Sequence, residues 1–233
     1  MRLDKFLCDN NIGTRSQVKE YIKKGQVTVN DQIIKKPETK VNEETDTVVC
    51  QGQPIHYRKY VYYMLNKPEG VVSATNDNTA PTVVSLLTVP EQKDLFPVGR
   101  LDKDTTGLLL LTNDGALAHD LLSPKKHVDK VYYAKVQGIV DEVDQEIFAV
   151  GMSIGNGETA LPSKLEILYS GEISEIRVTI QEGKFHQVKR MFHAVGKEVI
   201  YLKRLSMGTL LLDETLKSGE YRALTKEELK RLC

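Results

Sequence analysis

The apolar positions of this chain change period several times, and each change marks an element. Residues 108–111 are an unbroken run of four leucines, closed by Thr112-Asn113-Asp114-Gly115. A short continuous apolar run ended by such residues predicts a strand buried on both faces, with Asp114-Gly115 making a tight turn. Near the start, Leu3, Phe6 and Leu7 have helical spacing. Thr14 followed three residues later by Gln17 is a capping-box pattern, opening a second helix that Gly25 ends. Val18 and Ile22 share the inward face of that helix, and Arg15, Lys19 and Lys23 form a cationic stripe along another face. Residues 26–30 then alternate as a strand, Asn30-Asp31 turns the chain, residues 32–34 return, and a further strand is expected at 47–50.

Gly52 and Pro54 punctuate residues 51–60, which read as connecting chain. The boundaries expected are a compact module over 1–54, a linker over 55–60 and a larger domain over 61–233. In the larger part, strands are predicted at 60–65, 131–137, 166–168 and 173–181, and helices at 141–150, 186–195 and 226–232. Strands and helices mixed without regular strand-helix repetition predict an α+β fold, not a doubly wound sheet.

Composition narrows this little: 40% hydrophobic and 27% charged residues belong to an ordinary globular protein. Net charge is zero, so overall charge does not announce a polyanion partner. Its distribution says more. Arg2, Lys5, Arg15, Lys19, Lys23, Lys24, Lys35 and Lys36 face only Asp4, Asp9, Glu20 and Asp31 in the first 36 residues. Local patches set the field that a polyanion meets. No signal-peptide pattern and no apolar run long enough for a membrane span is seen. Cys8, Cys50 and Cys233 are odd in number and far apart, which argues against a disulfide framework and for a reducing cytoplasm. Cysteines and histidines lack metal-ligand spacing, so neither metal nor cofactor is expected.

The charged segment ahead of the four leucines, Gly99-Arg100-Leu101-Asp102-Lys103-Asp104-Thr105, places Arg100 and Asp102 on a loop fixed by a rigid core strand, where catalytic groups are commonly mounted. The blander reading makes Asp102 a turn cap and Arg100 its solvated neighbour. Asp104 reads as structural. The wording Gly-Arg-Leu-Asp, then Thr-x-Gly-Leu-Leu-Leu-Leu-Thr-Asn-Asp-Gly, resembles the active-site signature of the RsuA family of pseudouridine synthases. That resemblance implies that Asp102 is the essential carboxylate. Lys130-Val131-Tyr132-Tyr133-Ala134-Lys135-Val136 is similar to the family pattern Lys-x-Tyr-x-Val and puts Tyr132 where a tyrosine stacks on the base. Tyr133 points to the other strand face and is the second choice. Gly183-Lys184-Phe185-His186-Gln187-Val188-Lys189-Arg190-Met191 resembles a third family segment. It implies that Lys189 approaches Asp102 and favours its ionised form, although a lysine lacks the bidentate fork of arginine. Asn66-Lys67-Pro68-Glu69-Gly70 resembles a segment at the start of the family's catalytic domain; its expected role is support of the catalytic loop, so Lys67 is not counted as catalytic.

The opening module, with its Gly-Thr-Arg-Ser turn, basic helix and Gly-x-Val-x-Val-Asn hairpin, resembles the alpha-L RNA-binding domain over residues 1–48. The two resemblances together imply an alpha-L domain followed by a mixed, largely antiparallel-sheet catalytic domain. The implied reaction converts uridine to pseudouridine in ribosomal RNA, with the 16S small-subunit RNA as first choice. Catalytic roles fall on Asp102, Tyr132 and Lys189, and RNA contacts on Arg2, Arg15, Ser16, Lys19, Lys23, Arg100, His186, Gln187 and Arg190. A cytoplasmic monomer acting on a small-subunit assembly intermediate is expected, with no membrane partner. A large-subunit rRNA enzyme of the same family and a catalytically silent ribosome-assembly factor are the alternatives.

Overall fold

The structure is a computed structural model that describes residues 1–10, 12–43, 45–55 and 60–232. Glu44, Cys233 and residues 56–59 of the expected linker lie outside the described residues. The chain divides into two compact units, residues 1–61 with 89–93, and residues 62–88 with 94–233.

In the first unit, α1 (Leu3–Asp9) and α2 (Arg15–Lys23) are followed by β1 (Val27–Val29), β2 (Gln32–Ile33), β3 (Val48–Cys50) and β4 (Gln53–Ile55). The strands form one antiparallel sheet in the order β2-β1-β3-β4. Leu3, Phe6 and Leu7 of α1 and Val18 and Ile22 of α2 pack on Val27, Val29 and Val48. The capping box is present in both directions: the Gln17 amide donates to Thr14 Oγ1 at 3.4 Å, and the Thr14 amide donates to Gln17 Oε1 at 2.9 Å. Thr14→Ala is expected to destabilise this unit by about 1 kcal/mol, seen as faster amide exchange in the first turn of α2. Asn30 and Asp31 turn the first hairpin with φ of 49° and 65°, a conformation these residues tolerate better than most. Residues 51–55 are not linker. Gln51 and Gly52 make a second hairpin turn, and β4 pairs with β3.

The second unit begins with β5 (Tyr62–Lys67), β6 (Phe96–Pro97) and β7 (Thr106–Thr112), then α3 (Gly115–Leu122) and β8 (Lys130–Gln137). There follow α4 (Glu142–Val150), the short pair β9 (Met152–Ser153) and β10 (Thr159–Ala160), β11 (Lys164–Tyr169), β12 (Ile173–Ile180) and α5 (Gln187–Ala194). The unit ends with β13 (Glu198–Met207), β14 (Leu210–Leu211), β15 (Tyr221–Ala223) and α6 (Lys226–Leu232). The main sheet runs β11-β12-β8-β13-β7-β5-β15, with β6 on β7 and β14 on β13. Within it β13 and β7 are parallel and the other neighbours antiparallel.

All four leucines of β7 are at most 1% exposed, as a strand covered on both faces requires. Leu108 and Leu110 pack with Met64, Val98, Ala118, Leu121 and Met207. Each such side chain stabilises the unit by roughly 1.5–3 kcal/mol. The close β7–β13 approach needs Gly107, whose φ is 96° and whose missing Cβ would collide with the Arg204 backbone. Among the elements not anticipated, α3 and β13 matter most to the core. Asp114 does not end a simple turn but caps α3, accepting from the amides of Ala116 and Leu117 at 3.1 and 3.2 Å. The longest strand, β13, lies in the middle of the sheet.

Candidate active site

Asp102 sits on a loop tied down at several points. Leu101 is buried, and Ser73 brackets its backbone: Ser73 Oγ donates to the Leu101 carbonyl at 2.9 Å and accepts from its amide at 3.0 Å. The Thr105 amide donates to the Asp102 carbonyl at 3.1 Å. From below comes Lys67, the last residue of β5, with no solvent exposure. Its ammonium donates to the carbonyls of Pro68, Lys103 and Thr105 at 3.0, 3.3 and 2.9 Å. Burial pushes this ammonium down to about 8, against the opposing pull of the Asp104 and Asp102 carboxylates. Lys67 thus supports the loop without reaching its mouth.

The Asp102 carboxylate is about one-quarter exposed, with His186 Nε2 3.6 Å from Oδ1 and Lys189 Nζ 3.5 Å from Oδ2. Lys189 is not devoted to Asp102, as the sequence reading implied. Its ammonium donates to both Asp104 oxygens, at 2.6 and 2.8 Å. Burial pushes the Asp104 carboxyl up, but the Lys189 hydrogen bond and charge bring it below the usual carboxylate range. A lysine is a compact point charge and settles between two carboxylates where a fork would favour one. Asp104 is therefore part of the charged cluster and not a bystander.

Alternation along β8 separates the two tyrosines. Tyr132 is 7% exposed and shares the buried face with Ala134 and Val136, whereas Tyr133 faces the other way, edge-on to Tyr201. Burial and the Glu175 carboxylate push the Tyr133 phenol up to about 12. Tyr132 lines one cleft together with Arg100, Asp102, Thr105, His186 and Gln187. Tyr133 does not. Arg204, opposite Tyr132 on β13, is buried and donates through Nε to the Leu108 carbonyl at 2.8 Å, joining the strand behind the cleft to β7.

Two expected RNA contacts are spent inside the protein. Gln187 is 4% exposed; it accepts from the Lys184 amide at 3.0 Å and donates to Glu182 at 2.8 Å. Arg190 donates to the carbonyls of Ile154, Gly155 and Phe185 at 2.9, 2.8 and 3.1 Å and to Glu158 at 2.5 Å. Four of its five N–H donors are thus committed within the protein, which leaves little of the fork for the phosphate contact expected. Both residues shape the 182–187 turn that delivers His186. The hub of that turn is Glu182, which sequence reasoning passed over. It takes Gln187, Lys184 and the Leu161 amide, and only its place five residues before a basic helix hinted at such a role. Arg100, by contrast, is exposed and has no hydrogen-bond or ion-pair partner among the described residues.

In the first unit, Arg2, Lys5, Arg15 and Lys19 surround a shallow depression with Asp4. Arg2 donates to Asp4 through Nε and Nη2 at 3.0 and 2.8 Å, so part of its fork is occupied. That bond holds the Asp4 carboxyl below its usual range. Ser16 and Lys23 are exposed on α2. No group of three or more His, Cys, Asp or Glu able to hold a metal occurs among the described residues, and no helix there is long and apolar enough to cross a membrane.

A carboxylate on a braced loop, facing a cation, an imidazole and a buried tyrosine, is the working set of a carboxylate-dependent enzyme. The small first unit, with its basic helix α2, is of the type that handles a polyanion. Comparison with known proteins gives this class its family. The model for RNA pseudouridylate synthase matches residues 61–194, and that for the S4 domain matches residues 1–48. An uncharacterised RNA pseudouridine synthase of Bacillus subtilis strain 168 is 49% identical over 100% of this chain and 98% of its own length. Ribosomal small subunit pseudouridine synthase A of Vibrio cholerae is 44% identical over 98% of each chain. A crystal structure of a pseudouridylate synthase superposes over 100% of both chains with a TM-score of 0.71 and 39% identity. This chain belongs to the RNA pseudouridylate synthase family, with an S4 domain ahead of the synthase domain, and is an isomerase.

Proposed function

We propose that this protein converts one uridine of 16S small-subunit ribosomal RNA to pseudouridine, with Asp102 as the essential carboxylate. The observation that carries the catalytic assignment is the convergence of Asp102, Tyr132 and His186 on one cleft, with Lys189 3.5 Å from the carboxylate. Full-length similarity to enzymes named for the small subunit supports the choice of RNA. The reaction breaks the N1–C1′ bond, turns the uracil over and joins C5 to C1′; the proton leaving C5 is balanced by one gained at N1. It needs an ionised carboxylate at the sugar–base junction and a surface that keeps the freed base. Asp102 serves the first need, with the Lys189 ammonium 3.5 Å from its carboxylate, and Tyr132 holds the base by stacking, a contact worth roughly 1–3 kcal/mol. Because C1′ and C5 are hidden in a helix, the target must be flipped out or unpaired.

The module that ends with β4 at Ile55 is the RNA-gripping domain in this reading, joined by a linker that ends at residue 60 to the catalytic domain, 61–233, of a cytoplasmic monomer acting on small-subunit assembly intermediates. Arg15, Ser16, Lys19 and Lys23 approach the phosphates, with Arg2 partly engaged by Asp4. Lys19→Ala and Lys23→Ala are each expected to lower the slope of log affinity against log salt by about 1, measured by filter retention of rRNA across a salt series. The test of function is carbodiimide mapping of pseudouridine in 16S and 23S transcripts and in partly assembled small subunits. A single new stop in 16S RNA is expected. A stop in 23S RNA alone would reassign the substrate, and silence in every RNA and particle would favour an RNA-binding assembly factor.

A further inference from the structure

Phe185 is 74% exposed, while Phe6, Phe96, Phe148 and Phe192 are buried or half-buried. Large aromatic side chains normally leave water, and this one is held out in it. Its ring lies parallel on the His186 imidazole, with centroids 3.8 Å apart and planes 16° apart. The backbone beneath is fixed from both sides. Arg190 Nη1 donates to the Phe185 carbonyl at 3.1 Å, and Gln187 closes the turn through the Lys184 amide and Glu182. His186 itself takes the left-handed conformation, φ 49°, at the start of α5, a geometry that persists only where surroundings impose it. The result is a pre-set two-ring stack whose inner ring is 3.6 Å from Asp102 and lines both depressions that meet at that carboxylate.

We propose that Phe185 is a positioning residue: the His186–Phe185 stack receives an RNA base adjacent to the target uridine and takes up the stacking position vacated when that uridine turns into the cleft. The proposal rests on the reading of an RNA substrate at the Asp102 cleft. Every base offers a π-face, so such a platform works without base-edge recognition. A stack formed before and during reaction strengthens binding in both states, and its loss therefore appears in KM more than in kcat.

The chain contains no tryptophan, so Phe185→Trp introduces a single fluorophore at the platform. Its emission is expected to be quenched on titration with 16S rRNA transcript, at concentrations where filter retention reports saturation. Phe185→Ala is expected to raise KM for the RNA about five- to a hundredfold with kcat little changed. Phe185→Leu, which keeps apolar bulk without a ring, should behave like the alanine variant. Unchanged emission at saturating RNA, or an unchanged KM in Phe185→Ala, would overturn the proposal. Emission is read independently of turnover, so failure of the platform is distinguishable from failure of the substrate reading.

Discussion

Asp102→Asn is expected to abolish pseudouridine formation while leaving the protein folded. Removing a positioned proton-transfer group alone costs about 10²–10⁴-fold, and a residue that also attacks the sugar would cost more. Stability should change little. The carboxylate is about one-quarter exposed, and its ion-pair partners stand at 3.5 and 3.6 Å, beyond hydrogen-bond distance. Asparagine keeps the shape, and the loop is fixed through backbone bonds from Ser73, Thr105 and Lys67 that the substitution does not touch. Binding of rRNA should survive, because the positive groups around the site and in the first unit remain. Carbodiimide mapping of 16S rRNA with wild type and variant, alongside thermal melts of both, measures this. Retained modification in Asp102→Asn would remove Asp102 from the mechanism. Asp104→Asn is the informative companion: it releases Lys189 from its 2.6 Å bond and so reports how far that cation acts on Asp102.

The elements readable from sequence are those in which one physical signal dominates. The capping box of Thr14 and Gln17 and the leucines of β7 each obey a single rule without competition, and both stand where expected. Missed elements carry conflicting signals. β13 spans ten residues, but register shifts between Val199 and Tyr201 and between Arg204 and Ser206 break its alternation. It also buries Arg204 at a position where the pattern demands an apolar side chain. A bulge moves every later residue to the other face, so period counting fails there. In α3 the ambiguity is chemical, since an aspartate accepting amides two and three residues on serves a turn and a helix cap equally. The same limit applies to the site. Motif wording located Asp102 and Tyr132, which share a cleft. It could not say that Gln187 and Arg190 face inward, or that Lys189 divides itself between two carboxylates. Those outcomes depend on partners far away in sequence, such as Glu158 and Asp104.

Lys67→Met is expected to lower stability by roughly 2–4 kcal/mol and to impair turnover together with it. Methionine fills the volume but donates nothing, leaving the Pro68, Lys103 and Thr105 carbonyls without the ammonium that now joins them. Lys103 keeps a second donor in the Gly70 amide, which softens the loss. An unsatisfied buried acceptor costs about 1–3 kcal/mol, and at roughly 2–4 °C per kcal/mol for a unit of this size the melting temperature should fall by about 4–15 °C. Activity falls because two of the three freed carbonyls belong to Lys103 and Thr105, on either side of Asp104 and next to Asp102. The pH dependence has a defined sign. Lys67 releases its proton near 8 in the folded protein and near 10.4 in the unfolded chain. Below about 8 both states are protonated and the burial cost is constant. Between those values the unfolded state binds more protons, so wild-type stability rises with pH relative to Lys67→Met. The gain expected between pH 7 and pH 9 is on the order of 1 kcal/mol. The gap between wild type and variant should therefore widen on the alkaline side, and denaturant titrations of both proteins at the two pH values measure it. A gap that stays constant or narrows would mean that burial does not hold the Lys67 ammonium below its ordinary range in the folded protein.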